Sequence, residues 1–127
     1  MWWKSYIPDL ITLLVQCFSV CGMIDTNRVF VTGYSAGGDG VYHVAGMMAD
    51  GLAGAAMMAG HPNRADVYNL RNIGFSVQVG EGDHAYDRAN WGKVYIRRIE
   101  EMGKEYGGFR QYSKVHSTGH WMGKKDA

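Results

Sequence analysis

The sequence predicts an α/β protein, with a mostly parallel sheet and flanking helices. Three observations carry that prediction. Apolar residues at helical spacing alternate along the chain with short β-branched or alternating runs. Short polar or glycine-containing turns separate these segments, with no linker and no low-complexity stretch between them. Finally, 127 residues suit one modest domain, and the 18 glycines follow no fibrous period, so they mark tight turns and close backbone approaches.

The elements follow in order. Ile7, Leu10, Ile11, Leu14, Val15, Phe18 and Cys21 recur as one face of a helix, with Asp9, Thr12, Gln16 and Ser19 opposite. Pro8 suits a first helical turn. Asp25-Thr26-Asn27 reads as a turn, and Arg28 to Thr32 as a strand apolar enough to be buried on both faces. Gly33 to Gly40 is a glycine-dense turn, followed by a small-residue helix to about Asp50. A second apolar run, Leu52 to Ala59, ends at Gly60-His61-Pro62-Asn63. Ile73 to Val79 alternates as a strand does and stops at Gly80-Glu81-Gly82-Asp83. From Asp87 to Tyr106 a helix is predicted, with Asp87 as its N-cap. Trp91, Val94, Tyr95, Ile99 and Met102 form its buried face, and Arg97, Glu100, Glu101, Lys104 and Glu105 face water. Phe109 to Val115 is the last strand.

Charge and cysteine usage narrow the function classes. Lys+Arg number 13 against 12 Asp+Glu, so no basic excess is available to hold nucleic acid or anionic membranes. No segment predicts a membrane span. The amphipathic first helix has no small-residue cleavage site after it, which argues for a folded helix over a signal peptide. Cys17 and Cys21 are too few for a zinc site and are expected as small buried apolar residues, in a reducing, cytoplasmic setting.

The chemistry gathers around Gly33-Tyr34-Ser35-Ala36-Gly37, a G-x-S-x-G pentapeptide between an apolar strand and a small-residue helix. A sharp strand-to-helix turn there lifts a serine hydroxyl above the sheet edge, and the Ala36 N–H then faces a developing oxyanion. A Walker loop is excluded, since no Gly-Lys is followed by Ser or Thr. The dinucleotide fingerprint needs glycine where Ser35 stands. A nucleophilic serine needs a base, and the base an orienting carboxylate. Asp83 follows a predicted strand directly, with Asp87 the alternative acid. His120, in Gly119-His120-Trp121, follows the last strand, with His116 the competing base. Tyr34, His61 and Trp121 are candidates to line a substrate site, while His43 and His84 read as structural or exposed. No metal-binding spacing occurs.

Residues Ile24 to Gly38, with the Gly80-x-x-Asp83 turn and the Gly119-His120 loop, resemble the α/β-hydrolase superfamily. The nearest branch in pattern holds polyhydroxyalkanoate-depolymerase-like and feruloyl-esterase-like enzymes and prolyl-oligopeptidase-like peptidases. That resemblance implies a partial α/β-hydrolase fold, with Ser35 as nucleophile, His120 as general base and Asp83 as its orienting acid. It also implies an ester, thioester or amide substrate and no metal or organic cofactor.

In this family a second oxyanion N–H comes from a loop upstream of the elbow strand, and a closing helix follows the histidine. The sequence therefore reads as the C-terminal half of such a domain. The expected consequence is an open, apolar edge on the elbow strand, able to self-associate. A catalytically impaired fragment that pairs through this edge is the alternative to an enzyme.

Overall fold

Short runs of small and β-branched residues, each ended by a turn, form four parallel strands. The computed structural model describes Trp2 and residues 4–123. Its elements are α1 (Tyr6–Val20), β1 (Phe30–Tyr34), α2 (Ala36–Met47), β2 (Gly54–Met58), β3 (Gly74–Gly80), α3 (Arg88–Tyr106) and β4 (Gln111–His116). The sheet order is β1-β2-β3-β4, parallel throughout. The predicted α/β class is thus the observed one.

The register aligns Tyr34 with Met58 and Gly80 with His116. All four strands consequently release their following loops at one edge of the sheet. This is the edge where side chains distant in sequence can meet.

One face of the sheet carries the core. Ala55, Met57, Phe75, Val77 and Val79 are buried beneath Val41, Tyr42 and Ala45 of α2 and Tyr95 and Ile99 of α3. Tyr42 meets Tyr95 edge-on at 4.5 Å between centroids, a favoured aromatic geometry. Burial drives the Tyr42 hydroxyl well above its ordinary pKa, so it stays protonated.

Several expectations change. Strand β1 starts two residues later than predicted, because Asp25 accepts the Asn27 N–H at 2.9 Å and holds Thr26–Arg28 in a 3₁₀ turn. It is an edge strand among the described residues, so it is not buried on both faces: Phe30 is 66% exposed. The glycine-dense stretch after it is not a long turn. A single residue, Ser35, makes the turn, and α2 begins at Ala36.

The predicted apolar face of α1 is only half used. Ile7, Ile11 and Val15 are half-buried, while Leu10, Leu14 and Phe18 are exposed, because the described residues supply no surface opposite them. Cys17 and Cys21 lie on this helix and are exposed, contrary to their expected burial. No helix among the described residues is long and apolar enough to cross a membrane.

On α3 the buried stripe is rotated from the predicted one. Gly92, Tyr95 and Ile99 face the sheet, and Trp91 and Val94 point outward. The reason is packing: a Cβ at Gly92 would stand 2.5 Å from Val79 Cγ1, so the helix touches the sheet through its backbone there. Asp87 does not cap α3 through its side chain. It sits in the left-handed region, and its Oδ1 accepts the Asn90 amide at 2.6 Å.

Candidate active site

Ser35 stands alone between β1 and α2, with φ 56° and ψ −120°, a conformation that costs an L-residue energy. Two contacts hold it there. Its N–H donates to Met58 O of β2 at 2.9 Å, and its carbonyl accepts the Asp39 N–H at 3.0 Å. The turn closes tightly because residue 33 is glycine: a Cβ there would lie 2.3 Å from Gly37 O. Ala36 is the first residue of α2 and carries one of the N–H groups that a helix leaves unpaired.

Asp83 reaches the same edge from the turn after β3. It is 1% exposed, and its position is fixed by its N–H donating to Gly80 O at 3.1 Å. His120 arrives from the loop after β4, which lies directly on the β3 turn. Gly82 N donates to Thr118 O at 2.9 Å, and a Cβ at Gly80 would fall 2.0 Å from Gly119 O. Any larger residue at position 80 would push the histidine loop away.

These approaches bring three side chains into line. His120 Nδ1 lies 2.6 Å from Asp83 Oδ2, and His120 Nε2 lies 3.0 Å from Ser35 Oγ. A carboxylate oxygen can only accept, so Nδ1 carries the ring proton and Nε2 is left to accept from the serine hydroxyl. The remaining carboxylate oxygen, Asp83 Oδ1, makes no hydrogen bond among the described residues. Arg88 Nη1, at 3.8 Å, is the cation facing it. Arg88 is itself 8% exposed and also donates to Ala85 O at 3.4 Å; its guanidinium lies over the Tyr86 ring at 4.8 Å.

The other candidates are placed apart from this line. Asp87 is exposed and bonded to Asn90, while His116 is buried with Nε2 3.1 Å from Gln78 Oε1. Tyr34 is engaged in holding the histidine loop. Its hydroxyl donates to His120 O and accepts from Met122 N at 3.2 Å. Its ring stacks on Trp121 at 5.7 Å, and Trp121, 78% exposed, meets the His120 ring edge-on at 5.4 Å.

His61 donates its backbone N–H to Asp39 Oδ1 at 2.7 Å and lines a cleft with Ala36, Asp39, Asn63, Tyr86 and Arg88. His43 is half-buried, and that burial lowers its pKa, with Asp39 acting in the opposite direction. His84 is exposed. Sequence reasoning missed two contributors, Arg88 and the Tyr34 hydroxyl. Only a three-dimensional contact reveals either one.

No family model matches the sequence, and no curated protein matches it. Solved structures do share the fold. SOBER1 of Arabidopsis thaliana superposes with a TM-score of 0.67 at 16% identity, over 94% of this chain and 57% of that one. A thermostable esterase gives 0.65 at 22% identity, covering 85% of this chain and 28% of that one. A carboxylesterase from Mesorhizobium loti gives 0.65 at 14% identity, over 94% and 55% respectively. The chain therefore has the fold of part of these α/β-hydrolase-type proteins and spans little more than half the length of SOBER1.

Proposed function

We propose that the chain carries the catalytic half of a serine hydrolase acting on ester-type bonds, with thioesters or amides as related substrates. The observation that carries this reading is the continuous relay from Ser35 Oγ through His120 to buried Asp83. The esterases among the structures of like fold support it.

In this reading His120 Nε2 removes the Ser35 hydroxyl proton as Oγ attacks the acyl carbonyl. The C–O bond to the leaving alcohol then breaks, and His120 returns the proton to that alcohol. Water repeats the sequence on the acyl-serine, releasing the acid. Asp83 orients the imidazole, and the Ala36 N–H faces the oxyanion. Arg88 is a positioning residue that opposes the buried Asp83 charge.

The test is a fluorophosphonate probe with short 4-nitrophenyl esters. Labelling and turnover are expected in the native chain, with turnover falling by about 10⁶ in Ser35→Ala. Labelling that persists in Ser35→Ala would overturn the assignment.

A second reading is favoured by one observation, the exposed Phe30 on edge strand β1 beside exposed Leu14 and Phe18. It is a slow hydrolase-like fragment that self-associates through this edge. A second oxyanion donor is worth about 10²–10³ in rate. Sedimentation of a monomer with ordinary esterase turnover would remove this reading.

A further inference from the structure

A cavity lies between the β2–β3 connection and α3. A parallel crossover is usually filled by a helix. Here residues 59–73 contain only the five-residue 3₁₀ stretch Tyr68–Asn72, and the space left over measures about 690 Å³. That lies within the range of about 300–1,000 Å³ typical of small-molecule sites.

The wall on the loop side is already fixed. Asn63 and Arg64 both adopt left-handed backbone, with φ 45° and 68°. Asn63 N donates to His61 Nδ1 at 3.0 Å, its amide donates to His61 O at 3.1 Å, and Ala65 N donates to Pro62 O at 2.7 Å. A wall held by its own hydrogen bonds costs a ligand little ordering.

The opposite wall is α3, through its outward-facing Trp91 and Val94. With Tyr95 they give the cavity an apolar side, and Arg98 follows one helical turn beyond Val94. Arg64 stands on the loop side. Neither arginine makes an ion pair among the described residues, although Arg98 lies near enough to Tyr95 to ease its hydroxyl ionisation. Burial and Asp66 outweigh that influence and raise the Tyr95 pKa.

Asp66 is the acid of this lining. Its Oδ1 accepts the N–H groups of Val67 and Tyr68, at 2.6 and 3.2 Å, so it serves its own turn. The result is an aromatic slot rimmed by two exposed guanidinium groups and the one carboxylate of Asp66, a net positive rim.

His61 and Asn63 line both this cavity and the cleft containing Ala36 and Arg88. The His61 ring stands edge-on to Trp91 at 5.6 Å. The slot is thus a neighbour of the cleft that contains Ala36, with His61 and Asn63 between them.

We infer that this cavity binds the acyl arm of the substrate, and that the arm is an apolar chain or ring ending in a carboxylate. The inference rests on the hydrolase reading for the word substrate, but not for the site. Guanidinium groups pair with carboxylates in bidentate fashion, and an apolar stem gains from burial against Trp91 and Val94.

Two measurements test it separately. Calorimetric titration compares 4-phenylbutyrate with its neutral amide, 4-phenylbutyramide. The carboxylate should bind at least about tenfold more tightly, with an advantage that shrinks as sodium chloride is added. Arg98→Met combined with Arg64→Met should abolish the difference, and Arg98→Lys should retain part of it. Turnover then compares the mono-4-nitrophenyl ester of suberic acid with 4-nitrophenyl octanoate. The ratio of their kcat/KM values should fall at least about tenfold in the double variant.

Equal binding of acid and amide to the native chain overturns the inference. If Ser35 takes the fluorophosphonate while acid and amide bind alike, the pocket assignment fails and the hydrolase reading stands. If the carboxylate binds through Arg98 while Ser35 stays unlabelled, the hydrolase reading fails and the anion pocket stands.

Discussion

The two faces of the sheet are built from the same four strands, yet they differ in almost every physical respect. On one face Met57, Val77 and Val79 are wholly buried beneath α2 and α3. On the other, Phe30, Thr32, Tyr112 and Lys114 are exposed, and a shallow groove of about 370 Å³ runs past Phe30, Ala56, Ser76 and Tyr112. Composition separates them only in part, since Thr32, Ser76 and Lys114 are polar but Phe30 is as apolar as its covered neighbours. The difference is whether a helix lies above. The covered face holds the strands in register and hence sets the distances among Ser35, His120 and Asp83. The uncovered face adds little to that geometry.

The contrast can be broken most forcefully from the covered side. Met57→Ala removes a fully buried side chain between α2 and the sheet. A loss of about 2–5 kcal/mol is expected in urea unfolding, the usual range for such a core deletion. Because the register carries the site, any esterase turnover should disappear at the same denaturant concentration as the fold.

Arg88→Met acts where the covered side meets the site. It strips the facing cation from Asp83 Oδ1, which has no hydrogen bond of its own. A cost of about 1–3 kcal/mol is expected, the range for a buried polar atom left unmatched. A structural change alone would scale active enzyme without selectivity for charge. The proposed positioning role predicts that the lost kcat is partly recovered in Arg88→Lys, which restores the charge facing Asp83.

The uncovered side should answer differently. Phe30→Thr changes an exposed edge residue, so unfolding should shift by no more than about 0.5 kcal/mol. Any self-association seen by sedimentation should weaken, because the substitution removes the largest apolar group on that edge. A loss of stability comparable with that of Met57→Ala would erase the contrast between the faces.

The smallest effect expected is from His43, half-buried on α2. Its folded-state pKa lies below the ordinary 6.5, so the unfolded chain takes up the proton first as pH falls. The stability it contributes is therefore present above that value and declines as pH drops through and below it. His43→Gln should flatten this part of the stability profile, measured as the urea midpoint at successive pH values.

Local patterning determined much of this molecule. The order of helices and strands, the polar face of α3 and the turn at Gly33 to Gly37 all depend on residues within about one helical turn of each other. Such short-range chemistry is written in the sequence itself. It placed Ser35 between strand and helix, and it put Asp83 and His120 after strands.

Tertiary structure decided the rest, because the remaining choices are contacts between distant residues. Asp83 and His120 are 37 residues apart, and His120 and Ser35 are 85 apart. Tyr34 reaches the histidine loop across 86. No periodicity encodes those separations; the parallel register and the glycine approaches at positions 33 and 80 set them. The same reason accounts for the rotated face of α3. Trp91 and Val94 fit the apolar stripe by spacing, but the backbone contact of Gly92 with Val79 turned them outward. Edge exposure was decided in the same way. Phe30 has the sequence of a buried strand, and only the position of β1 at the end of the sheet leaves it in water.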